Sequence, residues 1–199
     1  MGTICPLVAR LIPYGPKQKP AHVISMIKNS LLLSCLVAFS ASSVAVEGYK
    51  DLAFGSSEAD LLAKKICTMQ KMETGVPRFA QYACSDFKFG GRTTVASAYF
   101  IDGEFLRLGI DVAWSEMVTV SDLIFKKYGQ PSSQSTKEQM YAIDTTPNTT
   151  AYWAFEQDTV YMMMQSDANM QKAGVVLYSS PLFEKKALEV QQSSLDSAL

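Results

Sequence analysis

The chain has 199 residues, 48% of them hydrophobic, with a formal net charge of −1 and a single histidine. That histidine, His22, precedes residue 46, as do four of the 18 basic residues (Arg10, Lys17, Lys19, Lys28) and none of the 19 acidic ones, so residues 46–199 carry 14 basic against 19 acidic side chains, a net −5. A histidine-free acidic stretch excludes Ser-His-Asp and Cys-His nucleophilic sites and His-bearing zinc sites, and it argues against nucleic acid or an anionic membrane surface as partner.

Residues 1–25 are rich in proline and have no periodicity. They read as a leader extension or an over-extended reading frame, with Met26 as the natural start. Residues 26–45 have the layout of a secretory signal peptide. Lys28 supplies the positive start, Leu31 to Phe39 the apolar run, and Ser43-Val44-Ala45 the small-residue cleavage site. The run is far short of the roughly 20 residues that span a bilayer, so no stable membrane span is expected. Leu32-Leu33-Ser34-Cys35 resembles a lipobox, but the apolar run before Cys35 is very short. The expected working protein is one domain over residues 46–199, periplasmic or secreted, with a frayed C-terminal tail.

Residues 50–70 read as a short strand, a turn at Phe54-Gly55-Ser56 and an amphipathic helix. Ser57 and Asp60 have capping-box spacing, and Leu62, Ile66 and Met69 form its expected core stripe. Cys67 and Cys84 are the two cysteines left downstream of the leader. In an oxidising compartment they are expected to form a structural disulfide. From Tyr82 the pattern alternates. Gly90-Gly91 turns the chain, Thr93 to Ile101 is a strand, and Asp102-Gly103 is a hairpin signal. On the return strand Leu106, Leu108, Ile110 and Val112 are expected on the core face, with Phe105, Arg107 and Asp111 on the other.

Met117 to Tyr128 returns to helix, with capping spacing at Thr119 and Asp122 and a stop at Gly129 and Pro131. Strands are expected at Gln139 to Asp144, Thr150 to Glu156, Thr159 to Gln165 and Gly174 to Ser179, and a last helix from Pro181 through Val190. The fold class is therefore α+β: an antiparallel sheet with helices on one face, built as a degenerate tandem repeat of a helix plus a meander.

Lys50-Asp51-Leu52-Ala53-Phe54-Gly55-Ser56-Ser57-Glu58 resembles the opening of small exported bacterial proteins of unassigned function, and Lys127-Tyr128-Gly129-Gln130-Pro131 is similar to the end of their second helix. The arrangement over residues 48–180 also resembles the fold of β-lactamase inhibitor protein and of the small lipoprotein of the outer-membrane assembly machine. Both work by binding proteins, so the resemblance implies a binding role.

Three chemical patterns fail on context. Ser85-Asp86-Phe87-Lys88 matches Ser-x-x-Lys, which needs a helix and here lies on an expected strand. Asp102 and Glu104 flank an exposed hairpin tip, where the turn itself explains Asp102. Met162-Met163-Met164, with Met69, Met72 and Met170, suggests a soft-metal site, but consecutive strand residues alternate faces and Met also fills cores. No catalytic, cofactor or metal residue is assigned. The expectation is a non-catalytic exported binding or accessory protein that meets a protein partner through Phe105, Arg107 and Asp111 on the uncovered sheet face, or dimerises through an edge strand. The competing readings are a histidine-free enzyme using carboxylate or Lys chemistry and an envelope-structural or stress protein.

Overall fold

A computed structural model describes residues 45–196. The expected leader extension and the signal peptide, up to residue 44, lie outside the described residues. Gly48–Tyr49 (β1) and Leu52–Ala53 (β2) form a small hairpin. A Cβ on Gly48 would sit 2.2 Å from the Leu52 carbonyl oxygen, so only glycine fits this approach. The first helix, α1, spans Glu58–Lys64 and is closed by the expected box, the Ser57 hydroxyl accepting from the Asp60 amide and the Asp60 carboxylate from the Ser57 amide. Lys65, in the left-handed region, ends it after two turns. The expected stripe is therefore displaced: Leu61 is the buried residue, Leu62 is exposed, and Ile66 and Met69 reach the core from the segment after the helix.

Four strands follow: β3 (Gln70–Met72), β4 (Phe79–Phe89), β5 (Arg92–Ile101) and β6 (Glu104–Val112). Asp102 and Gly103 both take positive φ in the β5–β6 turn, the conformation an Asp-Gly pair favours. Helix α2, Met117–Tyr128, is preceded by a 3-10 turn, Trp114–Glu116. That turn makes Glu116 the N-cap, with no side-chain cap bond, so the Thr119/Asp122 spacing does not cap the helix.

Ser133–Gln134 forms β7. Lys137–Thr145 then forms helix α3, where a strand is expected over Gln139 to Asp144. The local chemistry explains the difference: Thr136 and Gln139 make a second reciprocal capping box, which satisfies the first-turn amides of a helix. The chain continues through β8 (Thr150–Phe155), β9 (Val160–Ser166), β10 (Lys172–Ser179) and α4 (Phe183–Asp196), which runs past Val190.

All eight strands from β3 to β10 make one antiparallel sheet, ordered β3-β4-β5-β6-β10-β9-β8-β7. Its halves are two meanders joined where β6 pairs with β10, which is the architecture expected of a helix-plus-meander unit used twice. One face carries the main core. Leu61 of α1 and Met117, Val120 and Ile124 of α2 pack there with Phe87, Phe100, Leu108, Ile110, Met162 and Val176. Gly174 makes room for Met117: a Cβ there would fall 1.9 Å from its sulfur. Lys172, on the same side of β10 as Gly174, pairs with Asp144 of α3. Helices α1 to α3 thus share one face, while α4 lies against the other.

Candidate functional site

Phe105, Arg107 and Asp111 do not form one exposed surface. The cause is a bulge in β6: Phe105 pairs with Phe100 and Arg107 with Tyr99, so Leu106 is an extra residue that shifts the phase. Phe105 therefore joins Leu108, Ile110 and Val112 in the core and is 0% exposed. Arg107 does point to the opposite face, but α4 covers it and leaves it 1% exposed. Its guanidinium stacks 3.6 Å from the Phe183 ring centroid, donates to Ser179 Oγ at 3.0 Å and pairs with Glu184. These partners make Arg107 the clamp of α4 and remove it from contact with solvent. Asp111 is exposed, and partial desolvation on the sheet raises the pKa of its carboxyl.

Beyond α4, the same face stays open. Strand register sets out its rows: Ser97, Gly109, Leu177 and Tyr161 in one, and Asp111, Val175, Met163 and Tyr152 in the next. Gly109 contributes no side chain at the centre. Leu177 and Met163 lie low, while Tyr152, Tyr161 and Val175 remain partly exposed. The Tyr152 and Tyr161 rings stand 6.0 Å apart. Burial, with Asp158 nearby, pushes the Tyr161 phenol up to about 12, so it is a neutral hydrogen-bonding group at ordinary pH. The result is a shallow aromatic and aliphatic dish with Asp111 at its margin.

On the helix-bearing side, a cleft of about 570 Å³ opens beside the β1–β2 hairpin. Tyr49, Tyr128, Tyr178 and Phe89 line it together with Lys50, Lys127, Glu47 and Asp51. The Tyr128 hydroxyl donates to that of Tyr178 at 3.2 Å, and Tyr49 meets Tyr178 edge-on with centroids 4.8 Å apart. Burial raises the pKa of both Tyr49 and Tyr178. Sequence reading passed over this cluster because its members come from strand, helix and strand far apart in the chain, with no spacing to signal it.

The remaining chemical patterns have structural work. Cys67 and Cys84 form the expected disulfide, with Cα atoms 6.3 Å apart. Asp86 lies near both sulfurs, but it accepts from the Thr68 amide and hydroxyl at 2.9 and 2.6 Å, and a disulfide offers no thiolate to a metal. Ser85 sits in a β4 bulge and Lys88 bonds Thr93 across the β4–β5 hairpin, so neither has the helical setting of a Ser-x-x-Lys site. Asp102 takes both arms of Arg78 at 2.7 and 2.9 Å, which lowers its pKa, and Glu104 pairs with Lys186 at 2.6 Å. Met162 and Met164 face the main core, and Met163 faces the dish. Among the described residues no helix is long and apolar enough to cross a membrane.

The chain belongs to a family described as "Uncharacterised protein", which matches residues 49–197. It is similar to an "Uncharacterized protein" of the bacterium Haemophilus influenzae, 28% identical over 160 residues that cover 79% of this chain and 90% of that one. No solved structure matches the chain.

Proposed function

We propose that this family member is an exported, non-catalytic binding or accessory protein that meets a protein partner through the open half of its sheet. The observation that carries the reading is the dish on β6, β10, β9 and β8. Its Tyr152, Tyr161 and Val175 are partly exposed, while three helices are spent on the opposite face and the fourth on Arg107. Amphipathic aromatics over a shallow apolar floor give contact area at low entropic cost, as protein interfaces use them. Export is supported by the disulfide, which persists in oxidising compartments, and by the layout of residues 26–45.

A catalytic reading has less to stand on. It calls for a carboxyl of raised pKa inside a pocket. The raised carboxyl of Asp111 lies on the shallow face instead. Pairing of two copies through a sheet edge also has little to use, because the edge strands β3 and β7 are three and two residues long.

The test is capture of envelope proteins by the tagged chain beside a Tyr152→Ser, Val175→Asp variant whose circular dichroism and Tm match the parent. A specific protein retained by the parent and lost by the variant is the expected result. Equal capture by both would remove the dish as the contact surface.

A further inference from the structure

The tyrosine-lined cleft lies on the opposite side of the sheet from the dish, and the proposed protein contact makes no use of it. Its walls carry the rings of Tyr49, Phe89, Tyr128 and Tyr178, and two lysines line it as well. Lys50 Nζ lies 5.4 Å from the Tyr49 ring and Lys127 Nζ 4.7 Å from the Tyr128 ring. Among the described residues neither ammonium has a carboxylate in ion-pair reach, whereas the cleft's Asp51 is taken by Lys64 at 3.0 Å. The lining thus holds two ammoniums outside these ion pairs, Lys50 lying near enough to Asp51 to help Lys64 lower its pKa, and one further carboxylate, Glu47.

We propose that this cleft binds a small, flat, apolar molecule bearing a carboxylate, its ring against Tyr49 and Tyr178 and its carboxylate between Lys50 and Lys127. The volume suits such a ligand, since small-molecule pockets run from about 300 to 1,000 Å³ and are mostly apolar with a few polar groups that fix orientation. Charge supplies the selectivity: the ammoniums favour an anion, and the rings favour a flat body over a hydrated inorganic ion. The phenols stay protonated because burial opposes their ionisation, so they donate hydrogen bonds to the same anion instead of repelling it. The lining offers lysine, tyrosine and carboxylate side chains and no histidine, and the role assigned to the cleft is binding alone.

Lys50 makes the test clean. Its φ of 52° lies in the left-handed region, which asparagine adopts readily, so Lys50→Asn removes the charge without straining the β1–β2 turn. The experiment is calorimetric titration of the full-length chain with 2-naphthoate and with the neutral 2-naphthalenemethanol. The expected result is saturable naphthoate binding at least tenfold tighter than the alcohol. It should weaken at least tenfold in the Lys50→Asn, Lys127→Gln variant, with the Tm of that variant preserved. No saturable naphthoate binding, equal affinity for acid and alcohol, or undiminished affinity in the variant would each overturn the proposal. The readout is independent of the dish, so its failure leaves the protein-contact reading untouched.

Discussion

Arg107 shows what one side chain decides. A guanidinium 1% exposed is tolerated because Phe183, Ser179 and Glu184 stack on it, accept from it and balance its charge. Truncation removes the stack and leaves a void under α4. Arg107→Ala should therefore cost about 2–5 kcal/mol in urea unfolding, the range for truncating a large buried side chain. Arg107→Met keeps most of the volume and buries no charge, so it should cost clearly less. Equal losses for the two would show that charge, and not packing, sets the role. Tyr161 gives a pH signature. Its folded pKa of about 12 lies above its ordinary value of 10.0, so the unfolded chain gives up this proton first. The stabilisation is whole below pH 10 and falls as pH rises from there toward about 12. Chemical unfolding at stepped alkaline pH should show this decline, and Tyr161→Phe should make it shallower, the remainder coming from Tyr49, Tyr99 and Tyr178, whose pKa values burial also raises. A variant with the parent's slope would deny Tyr161 its burial.

At the level of elements, the disulfide joins the segment after α1 to β4. Closing a loop of this size is worth about 3 kcal/mol in the chain-entropy model, so reduction should lower the urea midpoint accordingly and leave the unfolding cooperative. Loss of less than about 1 kcal/mol would mean that the core alone fixes this corner. The same elements show what could be read in advance. The Ser57/Asp60 cap, the Asp102-Gly103 hairpin and the stop at Gly129 were legible because each is local chemistry. Thr136/Gln139 was equally local, but the short apolar run Met140 to Ile143 fits strand and helix alike, and a helix stands where a strand was expected. The β6 bulge could not be read at all. One unpaired Leu106 reverses the phase of Phe105, and nothing in a run of apolar residues marks which one is left out of the ladder.

Taken whole, the molecule has one sheet with unlike faces. Three helices and the aromatic core occupy one face, with the lysine-flanked cleft at its margin. The other is half covered by α4 and half open. The candidate surface was legible in part: an uncovered face was expected, and Asp111 does lie on its exposed margin. Tyr152, Tyr161 and Met163 were hidden because strand register, and not sequence spacing, brings β8 and β9 beside β10. The most direct test is site-specific photocrosslinking in bacterial cells, with a benzophenone amino acid at Tyr152 on the dish or at Val118, an exposed residue of α2 on the opposite side. The account predicts a discrete protein adduct from position 152 and none from position 118. Adducts from 118 alone, or equal adducts from both, would contradict it.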